Sequence, residues 1–124
     1  MQNLLSVALG GALGSALRYW LSTQVHQWLG RGFPYGTLLV NVLGCLLMGF
    51  LAFFMTERLN LNPVWRAAVL IGFLGGLTTF SSFSQETLNL LLAQAYLKAA
   101  LNVLLNLSVC LGATMLGLWL ARQL

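Results

Sequence analysis

Charge is what this sequence has least of. Only 6% of its 124 residues are Asp, Glu, Lys or Arg, against roughly 25% in a soluble domain. So few charges cannot coat a surface in water, which makes lipid the expected solvent. Carboxylates are scarcer still, being Glu57 and Glu86 alone. They give no carboxylate pair at one depth for acid–base work. His26 is the single histidine, so there is neither a Ser/His/Asp constellation nor a Cys/His metal cluster. Ser81 or Ser84 as a nucleophile would have no base near it in sequence, and the chain is expected not to be an enzyme. The two cysteines, Cys45 and Cys110, lie inside apolar runs without metal-ligand or disulfide spacing, and read as small buried residues. Six basic residues, spread along the chain, exclude a nucleic-acid patch. No leader with distinct charged, apolar and cleavage regions stands out, so the first helix is expected to be retained.

What is abundant is apolar: 59% of the residues are hydrophobic and mean hydropathy is +0.85. A spanning helix takes about 20 such residues, and four can be laid along the chain as one domain, residues 1–124. The first runs from about Leu4 into the low twenties, or on to Leu29. The second covers Thr37 to Met55, after the turn "GRGFPYG". The third covers Trp65 to Ala95, after the polar loop "TERLNLNP". The fourth covers Lys98 to Leu120. Trp65, Tyr96 and Trp119 fall near span ends, where amphipathic rings favour the interface. His26, in the polar segment "STQVHQ", reads as solvated, and Glu57 as a loop residue.

Four spans put both termini on one side, with Arg58, Arg66 and Arg122. Arg31 and Lys98 fall on the other, and Arg18, inside the first span, votes for neither. Orientation follows an excess of Lys and Arg in cytoplasmic loops, and three against two is hardly an excess. The chain is therefore expected to insert both ways round, so that two copies could form an antiparallel dimer. The alternative is one orientation, won by the extra arginine.

One segment is out of keeping with its apolar flanks: "GGLTTFSSFS", residues 75–84. Gly75 and Gly76 weaken a helix by about 1 kcal/mol each relative to alanine. The hydroxyls of Thr78, Thr79, Ser81 and Ser82 compete for backbone groups. The third span is also longer than a bilayer needs. A helix interrupted near its middle accounts for both. Such breaks expose carbonyls on one half, which suit cations, and amide N–H groups on the other, which suit anions. Gly72 and Gly76 form a GxxxG pair, as do Gly10 and Gly14. The first-span pair reads as close packing, and the third-span glycines as part of the break.

Polar residues recur at helical spacing on the other spans: Thr37, Asn41 and Cys45; Asn102, Asn106, Cys110 and Thr114; Gly11, Ser15, Arg18 and Ser22. Such groups can tie helices together, at about 0.6 kcal/mol each, or line a hydrated path. Three stripes beside a broken helix favour the path. Glu86, just beyond Phe83, is an intramembrane acid or a vestibule residue. Arg18 can snorkel if the first helix ends near Leu21; if it continues to Leu29, Arg18 is deep and needs a partner.

"GTLLVN" at 36–41 and "GGLTTFSSFS" at 75–84 resemble the two signature segments of the Fluc (CrcB) fluoride channels. Length, span number, balanced charge and motif order resemble that family across essentially the whole chain. The resemblance implies an all-α membrane protein of four transmembrane helices with a broken third helix, working as an antiparallel dual-topology homodimer. It implies two fluoride pores and a structural Na+ at the dimer centre, held by the backbone carbonyls of Gly75 and Thr78. It assigns the fluoride pathway to Asn41, Phe80, Phe83, Ser81, Ser82, Ser84, Thr114, Glu86 and Arg18, with a passive export role in the bacterial inner membrane. Cys110 stands where the family often has serine, and Asn106 where members vary. Two other classes compete. A small four-helix dual-topology transporter would need a first-helix carboxylate, and this helix has none. A non-conducting structural subunit would use the GxxxG pairs and leave the interrupted helix idle.

Overall fold

A computed structural model describes all 124 residues, and it is wholly helical. Helix α1 (Gln2–Leu29) ends at Gly30, whose φ of +79° a side-chain-bearing residue rarely adopts. Pro34 then introduces α2, which runs as α-helix over Tyr35–Phe53 and closes with wide π-type turns over Phe54–Arg58. Asn62 and Pro63 start α3 (residues 63–77) in the expected way. The Asn62 side chain accepts the Val64 N–H at 2.8 Å, and proline occupies a first-turn position whose N–H would be unpaired anyway. Helices α4 (Phe80–Leu92) and α5 (Tyr96–Gln123) complete the chain.

Four stretches are long and apolar enough to cross a membrane: Gln2–Leu29, Tyr35–Arg58, Pro63–Leu92 and Tyr96–Gln123. All four expected spans are present, each extending beyond the expected bounds at one end or both, and the third stopping at Leu92 rather than Ala95. At about 1.5 Å per residue they outrun a hydrocarbon core of roughly 30 Å, which calls for tilt or protruding ends. Leucines such as Leu4, Leu9, Leu13 and Leu111 are exposed along these helices, as lipid-facing or partner-facing side chains should be. Glu57 sits on the last wide turn of α2, still exposed, rather than in the loop after it.

Glycine sets how the helices pair. A Cβ on Gly10 or Gly14 would collide with the α3 carbonyl oxygens of Ala68 and Phe73. From the other side, a Cβ on Gly72 would lie 2.6 Å from the Val7 oxygen, and one on Gly76 2.7 Å from the Gly11 oxygen. The α1 and α3 backbones therefore touch through a seam of small residues, the usual route to close approach in lipid. Helices α2 and α5 form a second seam, with Gly49 against the Thr114 carbonyl and Gly117 against that of Leu46. The Gly10/Gly14 expectation holds. The expectation for Gly72 and Gly76 does not: both are helical residues spent on packing against α1. Val40, Leu74 and Leu77 are fully buried where α2 meets α3.

The interruption falls just after those glycines. Gly75 is still helical, at φ −63° and ψ −36°. Thr78 (φ −85°, ψ 155°) and Thr79 (φ −151°, ψ 122°) are extended, and helix resumes at Phe80. Two β-branched residues take the extended backbone they favour, so the break needs no glycine.

Candidate functional site at the helix break

A helix interrupted inside an apolar protein must find new partners for its backbone. In a continuous helix the Thr79 N–H would reach the Gly75 carbonyl; here it donates to Asn41 Oδ1 of α2 at 2.7 Å. The Thr79 carbonyl accepts from Asn41 Nδ2 at 3.0 Å. The Thr78 carbonyl accepts from Arg18 Nη1 of α1 at 3.2 Å. Because α1 does continue to Leu29, Arg18 lies deep, and the break itself is its partner. The same interruption that strands a carbonyl thus gives a half-buried guanidinium somewhere to donate.

Thr79 also caps α4. Its hydroxyl oxygen accepts the Ser82 N–H at 3.1 Å and donates to the Ser82 hydroxyl at 3.2 Å, with the Ser81 hydroxyl 3.3 Å away. A threonine three residues before the receiving N–H is a cap signal visible in the sequence, though it was not singled out there. Ser81 and Ser84 are exposed and Ser82 half-buried, so hydroxyls collect at the N-terminal turns of α4.

From Asn41 a line of amides crosses the protein. Asn41 Nδ2 donates to Asn106 Oδ1 at 3.0 Å. Asn106 Nδ2 donates to Asn102, at its Oδ1 (3.0 Å) and its backbone carbonyl (2.9 Å). Asn102 Nδ2 donates to the Thr87 hydroxyl at 2.9 Å, which donates to the Phe83 carbonyl at 2.8 Å. Backbone groups at both ends fix the direction: only an oxygen can face the Thr79 N–H, and only a donor the Phe83 carbonyl. The line begins just before one ring of the Phe80/Phe83 pair and ends on the residue carrying the other. It pins α4 to α2 and α5. Asn41, Asn102 and Asn106 are buried, and within the chain this stretch of the polar stripe works as a tie between helices. Both Asn41 amide protons are spent in it. Thr87 escaped notice in the sequence; its position four residues after Phe83 was the available signal.

The Phe80 and Phe83 rings lie 5.2 Å apart, tilted by 60°. Phe83 is 7% exposed and Phe80 71% exposed, so one ring belongs to the core and the other stands out from the chain. A cavity of about 280 Å³ brings together Asn41, Thr78, Thr79, both rings, Asn106 and the two cysteines. A neighbouring groove takes in both rings again with Ser84 and Thr87.

Other expected site residues lie apart from this cavity. The Thr114 hydroxyl donates back to the Cys110 carbonyl of its own helix at 3.0 Å, while its own carbonyl is covered by Gly49. Glu86 Oε1 accepts from the Thr37 hydroxyl at 2.7 Å, in the first turn of α2, and Glu86 Oε2 is buried without a partner. His26 is not fully solvated as expected; it is half-buried. Helix α1 carries it against Gly36 and leaves its Nδ1 buried and unpartnered.

These features define a class: a small multi-pass membrane protein whose third span is interrupted, with ring pair, hydroxyls and a capped helix start gathered at the interruption. More particularly, the chain belongs to the CrcB family. The family model described as "CrcB-like protein, Camphor Resistance (CrcB)" matches residues 5–118. A relative from Methylococcus capsulatus is 54% identical over 122 residues; the match takes in 98% of this chain but only 54% of that protein, so this chain spans about half its length. One from Coxiella burnetii is 50% identical over 123 residues, 98% of this chain and 99% of the relative. One from Shewanella oneidensis is 51% identical over 117 residues, 94% of each. All three carry the name fluoride-specific ion channel FluC, the name of a channel rather than an enzyme.

Proposed function

We propose that this chain is a passive, fluoride-selective channel of the bacterial inner membrane, working as an antiparallel, dual-topology homodimer with two pores. The observation that carries the reading is the helix start at Phe80. It holds two aromatic rings, several hydroxyls and the positive end of α4 within a few residues, inside an apolar protein.

Fluoride is small and strongly hydrated, so donors must replace its water. The Ser82 hydroxyl accepts from Thr79 and keeps its own proton to give. Ser81 and Ser84 are exposed beside it. Aromatic rings carry a positive edge, and it is by their edges that Phe80 and Phe83 would meet a passing anion. The N-terminus of α4 favours negative charge as well. Each contact is weak, which suits conduction, since an ion must leave as readily as it enters. Asn41 would join only by exchanging one of its present acceptors for the anion. Glu86, farther along α4, and its partner Thr37, in the first turn of α2, stand towards the end of the bundle that carries Arg31 and Lys98, as an entrance. Thr114 and Arg18 remain candidates for the far end and for the electrostatics of the path.

The balanced end charges and the exposed Phe80 support a second copy in the opposite orientation. A structural Na+ between the copies fits the donors present. The Gly75 carbonyl has lost its helical donor to Asn41, and Gly75 is exposed. The Thr78 carbonyl has one lone pair left beside its bond to Arg18. Two such hard oxygens from each copy would hold the ion. Bound there, it would supply a fixed positive charge beside two anion paths.

The test is efflux from liposomes loaded with fluoride or with chloride, followed by an ion electrode, with each terminus tagged to read orientation. Fast fluoride loss with chloride retained, and copies facing both ways, is the expected result. No flux of either anion would leave a packing subunit, flux tied to a proton gradient would mean a transporter, and a single orientation would end the antiparallel dimer.

A further inference from the structure

Cys45 and Cys110 are free thiols that the helix break does not use. Cys45 follows Asn41 by one turn of α2, and Cys110 follows Asn106 by one turn of α5. Asn41 and Asn106 are in direct contact, so the same seam, one turn on, sets sulfur opposite sulfur. A further turn along the same two helices, Gly49 packs against the Thr114 carbonyl, so the seam is close on both sides of the thiols. Both are half-buried, and both line the cavity that Phe80 and Phe83 enter. We propose that Cys45 and Cys110 form a two-thiol site for a soft, two-coordinate cation, Hg(II) being the type, and that capture of the ion there closes the anion path. The second half of this proposal rests on the channel reading; the first does not.

The chemistry selects the ion. Hg²⁺ plus two R–SH gives Hg(SR)₂ plus two H⁺. Two S–H bonds break, two Hg–S bonds form, both protons leave to water and no electron moves. The product is neutral, so capture leaves no net charge in an apolar interior, where an unpaired charge is costly. Zinc is disfavoured by the same residues, because structural zinc takes four ligands and this cavity has two sulfurs with no histidine or carboxylate beside them. Magnesium and calcium want oxygen ligands that carry charge. Soft thiolates prefer soft metals, and two-coordination needs no more than these helices provide. An ion held between the sulfurs lies in the space that the rings border, one turn from the amide tie.

The test uses the full chain in detergent and in liposomes. HgCl₂ is titrated while the thiolate-to-mercury ultraviolet band and the remaining free thiols are followed. The expected result is saturation at one mercury per chain with both thiols lost together, and no response to Zn²⁺. Cys45→Ser and Cys110→Ser should each abolish tight capture, leaving a mono-thiol adduct that excess small thiol strips at once. Saturation at two mercury ions per chain, or equally tight capture in both variants, would overturn the site. In liposomes, mercury should cut fluoride efflux to about a tenth or less of the untreated rate, since a narrow path has no bypass, and a dithiol should restore it. Each variant is judged against its own untreated rate and should lose far less. One mercury bound with efflux unchanged would refute the closure while upholding the site. If untreated protein passes no fluoride, the channel reading fails and the titration still decides the site.

Discussion

Replacing Asn41 by alanine tests the account of the helix break most directly. Asn41 makes three bonds there, accepting from the Thr79 N–H and donating to the Thr79 carbonyl and Asn106 Oδ1. Side-chain bonds within membranes average about 0.6 kcal/mol, so three of them set a floor near 2 kcal/mol. Thr79 is buried, and its N–H has no helical carbonyl to return to while the backbone stays extended. An orphaned buried donor costs about 1–3 kcal/mol, which brings the expected loss to about 3–5 kcal/mol. Reversible unfolding in mixed micelles, followed by far-ultraviolet circular dichroism, measures it. Part of any loss would be the cavity left by the missing side chain. A double-mutant cycle with Asn106→Ala separates the two, because the direct amide bond appears only as coupling. That coupling should lie at about 0.6–1.7 kcal/mol. Asn41→Ala within about 0.5 kcal/mol of the parent, the size of an ordinary surface change, would refute the idea that this side chain replaces the lost helical partners.

The two rings should separate by their burial. Phe80→Ile and Phe83→Ile are each expected to cut fluoride efflux strongly with the dimer intact, but Phe83→Ile, in the core, should also lower stability by about 1–3 kcal/mol, while Phe80→Ile leaves the single chain's stability nearly unchanged; undiminished flux in both would remove the rings from the mechanism. Gly14→Ala is expected to destabilise by several kcal/mol, since its new Cβ meets the α3 backbone rather than a movable side chain. Gly112→Ala is the control, with nothing within 4 Å, and should be neutral or stabilise by up to about 1 kcal/mol through helix propensity. The same unfolding measurement reads both, and equal effects would mean that the seam is not tight.

Much of this was legible along the chain. The four spans follow from apolar length alone, and the turns at Gly30 and Pro63 from backbone chemistry that acts locally. The segment "GGLTTFSSFS" announced an interruption because its composition contradicts its surroundings. The glycines there pointed to the wrong cause. Their physical role depends on the α1 carbonyls and amides facing them, and those residues lie some sixty positions away. His26 looked solvated because its neighbours are polar, yet the helix carries on past it and lays it against Gly36.

The asparagines mark the boundary between the two kinds of knowledge. Sequence periodicity determined that Asn41 shares a face with Thr37 and Cys45, and that Asn102, Asn106 and Cys110 share another. It left open whether those faces meet each other, lipid or a water-filled path, because helical spacing sets the angle of a residue about its own axis and nothing about its neighbour's. Tertiary packing decided that. Once Gly49 and Gly117 let α2 and α5 approach closely, the amides fell within bonding distance. The unwound backbone at Thr78 and Thr79 then found the partners that a membrane interior, lacking water, obliges it to have.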